Sequence, residues 1–238
     1  MILNSFKRFE KKYLLDGPQR DSILSSINEH MSLDEHNRDG ELYTLYNLYF
    51  DTDHYDLIRA SIGGPYYKEK LRLRSYKSMD DGSNEVFIEI KKKIGGIVSK
   101  RRTSIPLSDA MRFAETGLCP NTDNYIDHQI LSEIQDLLTR YELSPKWFIR
   151  YERLAYIGNE DKSLRVTFDQ NIYTHQNGAN NGFPLLSDEK TLMEIKFSDT
   201  IPIWLARALS ETKIFPTHFS KYGQAYEKYL KSNLRRSS

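Results

Sequence analysis

The chain has 238 residues, 39% hydrophobic and 28% charged, with a formal net charge of +1. That balance suits a globular protein with a sizeable core and excludes a generic nucleic-acid binder, whose domains are strongly basic. A single cysteine, Cys119, leaves no disulfide framework or thiolate metal site, and no apolar run approaches the ~18–20 residues of a membrane span.

Phe6 to Leu15 reads as a first strand, with Arg8, Glu10 and Lys12 at alternate positions. Its amino-terminal side lacks the apolar core of a signal peptide, so a reducing cytoplasm is the expected compartment. Gly17-Pro18 breaks the strand, and from Pro18 to about Met31 the stripe Ile23, Leu24, Ile27 predicts a helix. Residues 34–41 form a polar loop, and 42–50, rich in Tyr and Leu, a second strand. Asp51-Thr52-Asp53 offers an N-cap cluster to a short helix over 53–61.

After Gly63-Gly64-Pro65 come the two stretches around which the chain is arranged, 67–75 and 85–93, joined by a hairpin loop at 80–84. As strands, the first places Lys68, Lys70, Arg72 and Arg74 on one face and Leu71 and Leu73 on the other. The second sets Phe87, Glu89, Lys91 and Lys93 against Val86, Ile88 and Ile90. Gly95-Gly96 turns into a strand over 97–105 that carries Lys100, Arg101 and Arg102. Helices are expected from Pro106, with Ser108 as cap, and over 126–141, where Ile130, Ile134, Leu137 and Leu138 recur at helical spacing. Strands return at 147–156, with Ile149, Tyr151 and Arg153 on one face, and at 164–172, with Arg165, Thr167 and Asp169. A polar loop at 175–190 leads to a strand at 191–197 bearing Glu194 and Lys196, and helices at 202–212 and 222–230 finish the chain.

About eight strands, nearly all charged on one side and apolar on the other, predict an α+β fold. The expected form is one domain over 1–238, core at about 6–230: an eight-stranded antiparallel barrel with helices on its outside. The charged faces would then line a polar tunnel. Residues 68–102 hold eleven Lys or Arg against five Asp or Glu, a local excess of six positive charges. Like charge at that density is unfavourable unless something anionic sits among it.

Phosphate chains are the natural partner. Guanidinium forks bind phosphate oxygens in pairs, and lysines neutralise as point charges. The candidates facing the tunnel are Arg8, Lys12, Lys70, Arg72, Arg74, Lys91, Lys93, Lys100, Arg102, Arg153, Arg165, Lys196 and Lys221. The carboxylates among them, Glu10, Glu89, Asp169 and Glu194, either pair with neighbouring strands or share a divalent cation with the phosphates. Neither a P-loop nor a GxGxxG or HExxH motif is present, and Ser220 has no base partner for covalent catalysis.

The succession Arg8-Phe-Glu-Lys-Lys-Tyr13, Leu48-Tyr-Phe-Asp-Thr52, Lys70-Leu-Arg-Leu-Arg74, Glu89-Ile-Lys91, Lys100-Arg-Arg102, Tyr151-Glu-Arg153, Arg165-Val-Thr-Phe-Asp169, Glu194-Ile-Lys196 and Phe219-Ser-Lys-Tyr222 resembles the VTC domain of the triphosphate tunnel enzymes. The resemblance implies a polyphosphate polymerase that moves the γ-phosphate of ATP onto a polyphosphate chain with Mn²⁺ or Mg²⁺. It assigns Lys12, Arg72, Arg74, Lys91, Lys100, Arg153, Arg165 and Lys221 to the nucleotide and the chain, and Glu194 to the metal; Glu10 and Glu89 are further candidate ligands from the reading of the charged faces. Tyr151 and Lys196 match the pattern in supporting places, and Lys70, Lys93 and Arg102 are substrate-binding candidates from the tunnel reading. Related tunnel enzymes carry Glu-x-Glu-x-Lys on the first strand; here Arg8 stands at the first Glu, which favours the VTC branch. The implied partners are ATP and inorganic polyphosphate or triphosphate, no nucleic acid, and a membrane-protein partner outside this sequence. A hydrolase of tripolyphosphate or nucleoside triphosphates, and a non-catalytic polyphosphate-binding module, use the same cations and stay open.

Overall fold

The computed structural model describes residues 9–64, 66–95, 97–179 and 181–236. Arg8 and the start of the expected first strand lie outside them. In chain order the strands are β1 (Phe9–Leu15), β2 (Met31–Leu33), β3 (Tyr43–Asp51), β4 (Tyr67–Ser75), β5 (Glu85–Ile94), β6 (Ile97–Pro106), β7 (Ser144–Gly158), β8 (Arg165–Gln176), β9 (Gly182–Pro184), β10 (Thr191–Phe197) and β11 (Pro216–Thr217). The helices are α1 (Gly17–His30), α2 (Asp56–Ile62), α3 (Leu107–Thr116), α4 (Tyr125–Arg140), α5 (Ile203–Glu211) and α6 (Lys221–Arg236).

The backbone forms two compact units: residues up to Thr44 with Tyr151–Tyr173 and Pro184–Ser220, and Leu45–Arg150 with Thr174–Phe183 and the residues from Lys221 on. In the first, the hydrogen-bonded order is β11-β1-β10-β8-β7, with β2 beside β7. Alternation sends Tyr13, Leu15, Val166, Phe168, Met193 and Ile195 to one face, where they pack on Ile23 and Ile27 of α1 and Leu205, Ala208 and Leu209 of α5. The helix α1 starts where Asp16 accepts from the Gln19 amide and Gln19 reciprocates, a capping box with a proline in the first turn.

In the second unit the order is β7-β3-β4-β5-β6. Leu48, Phe50, Leu71, Leu73, Val86, Ile88 and Ile90 pack on Ala110 and Phe113 of α3 and on Ile130, Ile134 and Leu137 of α4. Each such Leu, Ile or Phe contributes about 1.5–3 kcal/mol of burial. In both units, therefore, α1 with α5 and α3 with α4 cover the apolar strand faces, and the charged faces lie on the other side.

All eight expected long strands are present, but the sheet differs from expectation in two ways. Three strands of two or three residues, β2, β9 and β11, bring the total among the described residues to eleven. Among the described residues the pairing order also runs from β11 to β6 without pairing its two ends, where a closed barrel was expected. Two helix starts shift as well. Ser108 is inside α3, whose cap residue is Pro106 without a side-chain bond. The helix expected from residue 53 begins at Asp56, after Tyr55 at φ 59°. Asp51 still serves that helix, because its carboxylate accepts from the Leu57 and Ile58 amides at 2.9 and 3.0 Å. No described helix is long and apolar enough to cross a membrane.

Candidate functional site

On the charged face of the second unit, antiparallel register stacks the cations in rungs. Lys68 stands opposite Lys93, Lys70 opposite Lys91, and Arg72 opposite Glu89. Across the next ladder, Lys91 faces Lys100 and Glu89 faces Arg102. Like charges placed directly opposite repel, so this ladder favours an anion over it.

Glu89 is the one carboxylate in these rungs. It is 1% exposed, and Arg72 meets its Oε2 through Nε at 2.7 Å and Nη2 at 2.6 Å. Lys100 Nζ lies 2.9 Å from Oε1, Arg102 at 3.6 Å, and Arg74 Nε 3.9 Å from Oε2. Burial alone would raise the Glu89 carboxyl, but Arg72, Arg74 and Lys100 hold it well below the usual carboxylate range. Burial also draws Lys100 down to about 8, with Glu89 opposing and the neighbouring Arg74 and Arg72 adding to the fall. One negative charge thus serves four cations, and the set retains a net positive charge.

Neighbouring strands hold these groups in place. Arg72 Nη1 donates to the Tyr49 hydroxyl at 3.0 Å, Arg74 Nε donates to Asn47 Oδ1 at 3.1 Å, and the Arg102 guanidinium lies 4.2 Å from the Phe87 ring centre. Tyr49 stacks on Tyr222 at 4.8 Å, and Tyr222 donates to Asp51 Oδ2 at 2.8 Å. This fixes the first turn of α6, where Lys221 is the opening residue.

The first unit carries a second cluster. Across β1, β10 and β8, register aligns Lys12, Glu194 and Thr167 in one rung and Glu10, Lys196 and Arg165 in the next. Lys12 Nζ donates to the Phe219 carbonyl at 3.0 Å and lies 3.3 Å from Glu10 and 3.8 Å from Glu194; Lys196 pairs with Glu194 on its other oxygen. Arg153 makes a two-pronged bond to the fully buried Asp169, at 2.6 and 2.8 Å, with its guanidinium 5.2 Å from the Tyr151 ring centre. Arg165 Nη2 donates to Asp34 Oδ2 at 3.1 Å.

All the sequence-predicted site residues within the described region therefore lie on these two charged faces or, for Lys221, at the start of α6. Each of the four carboxylates is ion-paired. Asp34, Asn37, Asn47 and Tyr49 also belong to the supporting structure, and sequence reasoning did not single them out. Asn37, only 1% exposed, donates to the Arg153 carbonyl and accepts from the Ala155 amide, holding β7 beside the cluster. Its place inside a polar stretch gave no signal of burial.

A divalent ion bound with phosphate needs one or two carboxylates from the protein. Glu194 and Glu10, both within reach of Lys12, fit that need. Among the described residues no three acidic, His or Cys side chains gather. Glu89 fits less well, since four cations surround it.

A family model described as the VTC domain matches residues 7–230. No curated protein sequence matches this chain. Among solved structures, a candidate adenylyl cyclase from Hippeastrum with a dominant triphosphatase activity is similar at TM-score 0.55 and 18% identity, covering 92% of this chain and 95% of that one. A candidate adenylate cyclase from Bacillus halodurans is similar at TM-score 0.50 and 15% identity, covering 90% of this chain and 95% of that one.

Proposed function

Because the chain belongs to the VTC domain family, with the fold of the triphosphate tunnel enzymes, we propose that it transfers the γ-phosphate of ATP to a polyphosphate chain with the aid of Mn²⁺ or Mg²⁺. The observation that carries this reading is the cation excess around Glu89. A buried carboxylate that needed only neutralising would be satisfied by one or two partners, whereas Arg72, Arg74, Lys100 and Arg102 all converge on it.

Phosphoryl transfer asks the protein for position and for stabilisation of charge on the transferred oxygens. Arg72 and Arg74, held by Tyr49, Asn47 and Glu89, present donors whose orientation is set before substrate arrives. Lys70, Lys91, Lys93 and Lys100 extend the positive face for further phosphates, with Arg102 at its edge. In the first unit Arg153 and Arg165 present guanidinium groups fixed by Asp169 and Asp34, Tyr151 backs Arg153, and Lys12 and Lys196 flank Glu194. Lys221 adds charge at the start of α6. The divalent ion, held by Glu194 with Glu10, would neutralise phosphate charge that these carboxylates otherwise repel.

Hydrolysis is the second reading, favoured by the triphosphatase activity of the Hippeastrum protein that shares the fold. The same cations would serve with water as acceptor. ATP labelled on its γ-phosphate separates the two, since the polymerase places label in chains and the hydrolase in free phosphate.

A further inference from the structure

Thr167 is 6% exposed, and its Oγ1 has no hydrogen-bond partner among the described residues. Two other buried side-chain atoms share that condition, but both have neighbours that explain it. Glu89 Oε1 is ion-paired with Lys100 at 2.9 Å, and Trp147 lies edge-on to the Phe183 and Tyr229 rings. Thr167 has no such company.

Its place in the sheet shows where the hydroxyl can act. Val166 and Phe168, on either side, belong to the core against α1 and α5, so Thr167 faces the charged side. It stands opposite Glu194, which stands opposite Lys12, and the next rung is Arg165, Lys196 and Glu10. Side chains opposite one another in an antiparallel pair have Cβ atoms about 4.5–5.5 Å apart, so Thr167 stands beside Glu194 on that face. Valine suits a strand equally well and would bury no unpaired hydroxyl. Buried polar groups nearly always find a partner, and an exception on a ligand face points to the ligand.

We propose that Thr167 Oγ1 donates a hydrogen bond to an oxygen of the phosphate bound beside Glu194. The inference rests on the phosphate reading of this face and adds a direction to it. Lysine and carboxylate charges attract without fixing rotation, whereas a hydroxyl with a single proton selects one oxygen.

The test is Thr167→Val, an exchange that keeps the shape of the side chain, with Thr167→Ser as the conservative control. Binding of ATP with Mg²⁺ is titrated calorimetrically, and melting is followed without nucleotide. The proposal predicts a Kd raised roughly tenfold in Thr167→Val, restored in Thr167→Ser, with the unliganded melting temperature unchanged or higher. Unchanged ATP affinity would overturn it. So would a lower unliganded melting temperature in Thr167→Val, which would make the hydroxyl a structural partner. If wild-type protein bound neither ATP nor tripolyphosphate, the phosphate reading itself would fall and take this inference with it.

Discussion

Tyr222 donates its hydroxyl to Asp51 across 171 residues of sequence, at 2.8 Å. Asp51 is fully buried and also accepts from the Thr52, Leu57 and Ile58 amides. One carboxylate therefore holds the start of α2 and the first turn of α6 together.

Asp51→Ala strands those amides and the Tyr222 hydroxyl. It is expected to cost about 3 kcal/mol or more, a fall of roughly 6–12 °C in melting temperature for a chain of this size. Tyr222→Phe loses one bond and should cost about 1–2 kcal/mol. Thermal melts of both variants check the order; equal, negligible losses would show that the pair carries no weight.

Glu89→Gln removes the anion among four cations. The unliganded protein should lose about 3–5 kcal/mol, as expected when one side of a buried ion pair is taken away. Added ATP should then raise the variant's melting temperature by more than it raises the wild type's, because phosphate replaces the missing charge. Arg72→Ala leaves Arg74, Lys100 and Arg102 near Glu89, so its stability cost is smaller, about 1–2 kcal/mol, while ATP binding weakens. A nucleotide-induced shift no larger in Glu89→Gln than in wild type would count against a phosphate site over these rungs.

Lys100 should make ATP binding depend on pH. With its ammonium drawn down to about 8 in the free protein, it loses charge as pH rises through that value. Bound phosphate raises it again, so binding takes up a proton above pH 8, and ATP affinity should fall by up to tenfold per pH unit there. The stability effect has the opposite sign. Between about 8 and the ordinary 10.5 the unfolded chain holds the proton that the folded chain has shed, so this group's contribution to folding becomes more favourable as pH rises. Lys100→Arg should flatten the affinity profile, and calorimetric titrations from pH 7 to 9.5 would show whether it does.

Most of the eight long strands are legible because charge and apolar character alternate along them, as in Tyr67–Ser75 and Thr191–Phe197, whereas Tyr43–Asp51 is legible from its Tyr and Leu content. The same alternation places Arg72, Glu89, Lys100 and Arg102 on one face, and Glu194 and Lys196 on another. Short strands such as Pro216–Thr217 carry no period, so their pairing with Lys12 and Tyr13 cannot be read in advance. Asp34 and Asn37 look like loop polarity because the groups that bury them, Arg165 and the backbone at Arg153 and Ala155, are more than a hundred residues away. Ser108 resembles a cap locally, yet the Pro106 geometry starts α3 one residue before it. Eight strands suggest a closed barrel, but strand count does not determine which edges pair.

The most direct test of phosphate transfer on these charged faces is the product formed from ATP and Mn²⁺ by wild-type protein and Glu194→Ala side by side, resolved on a gel that separates polyphosphate by length. A ladder of chains from the wild type, absent from a folded Glu194→Ala, is the predicted result. Free phosphate alone, or an identical ladder from the variant, would contradict it.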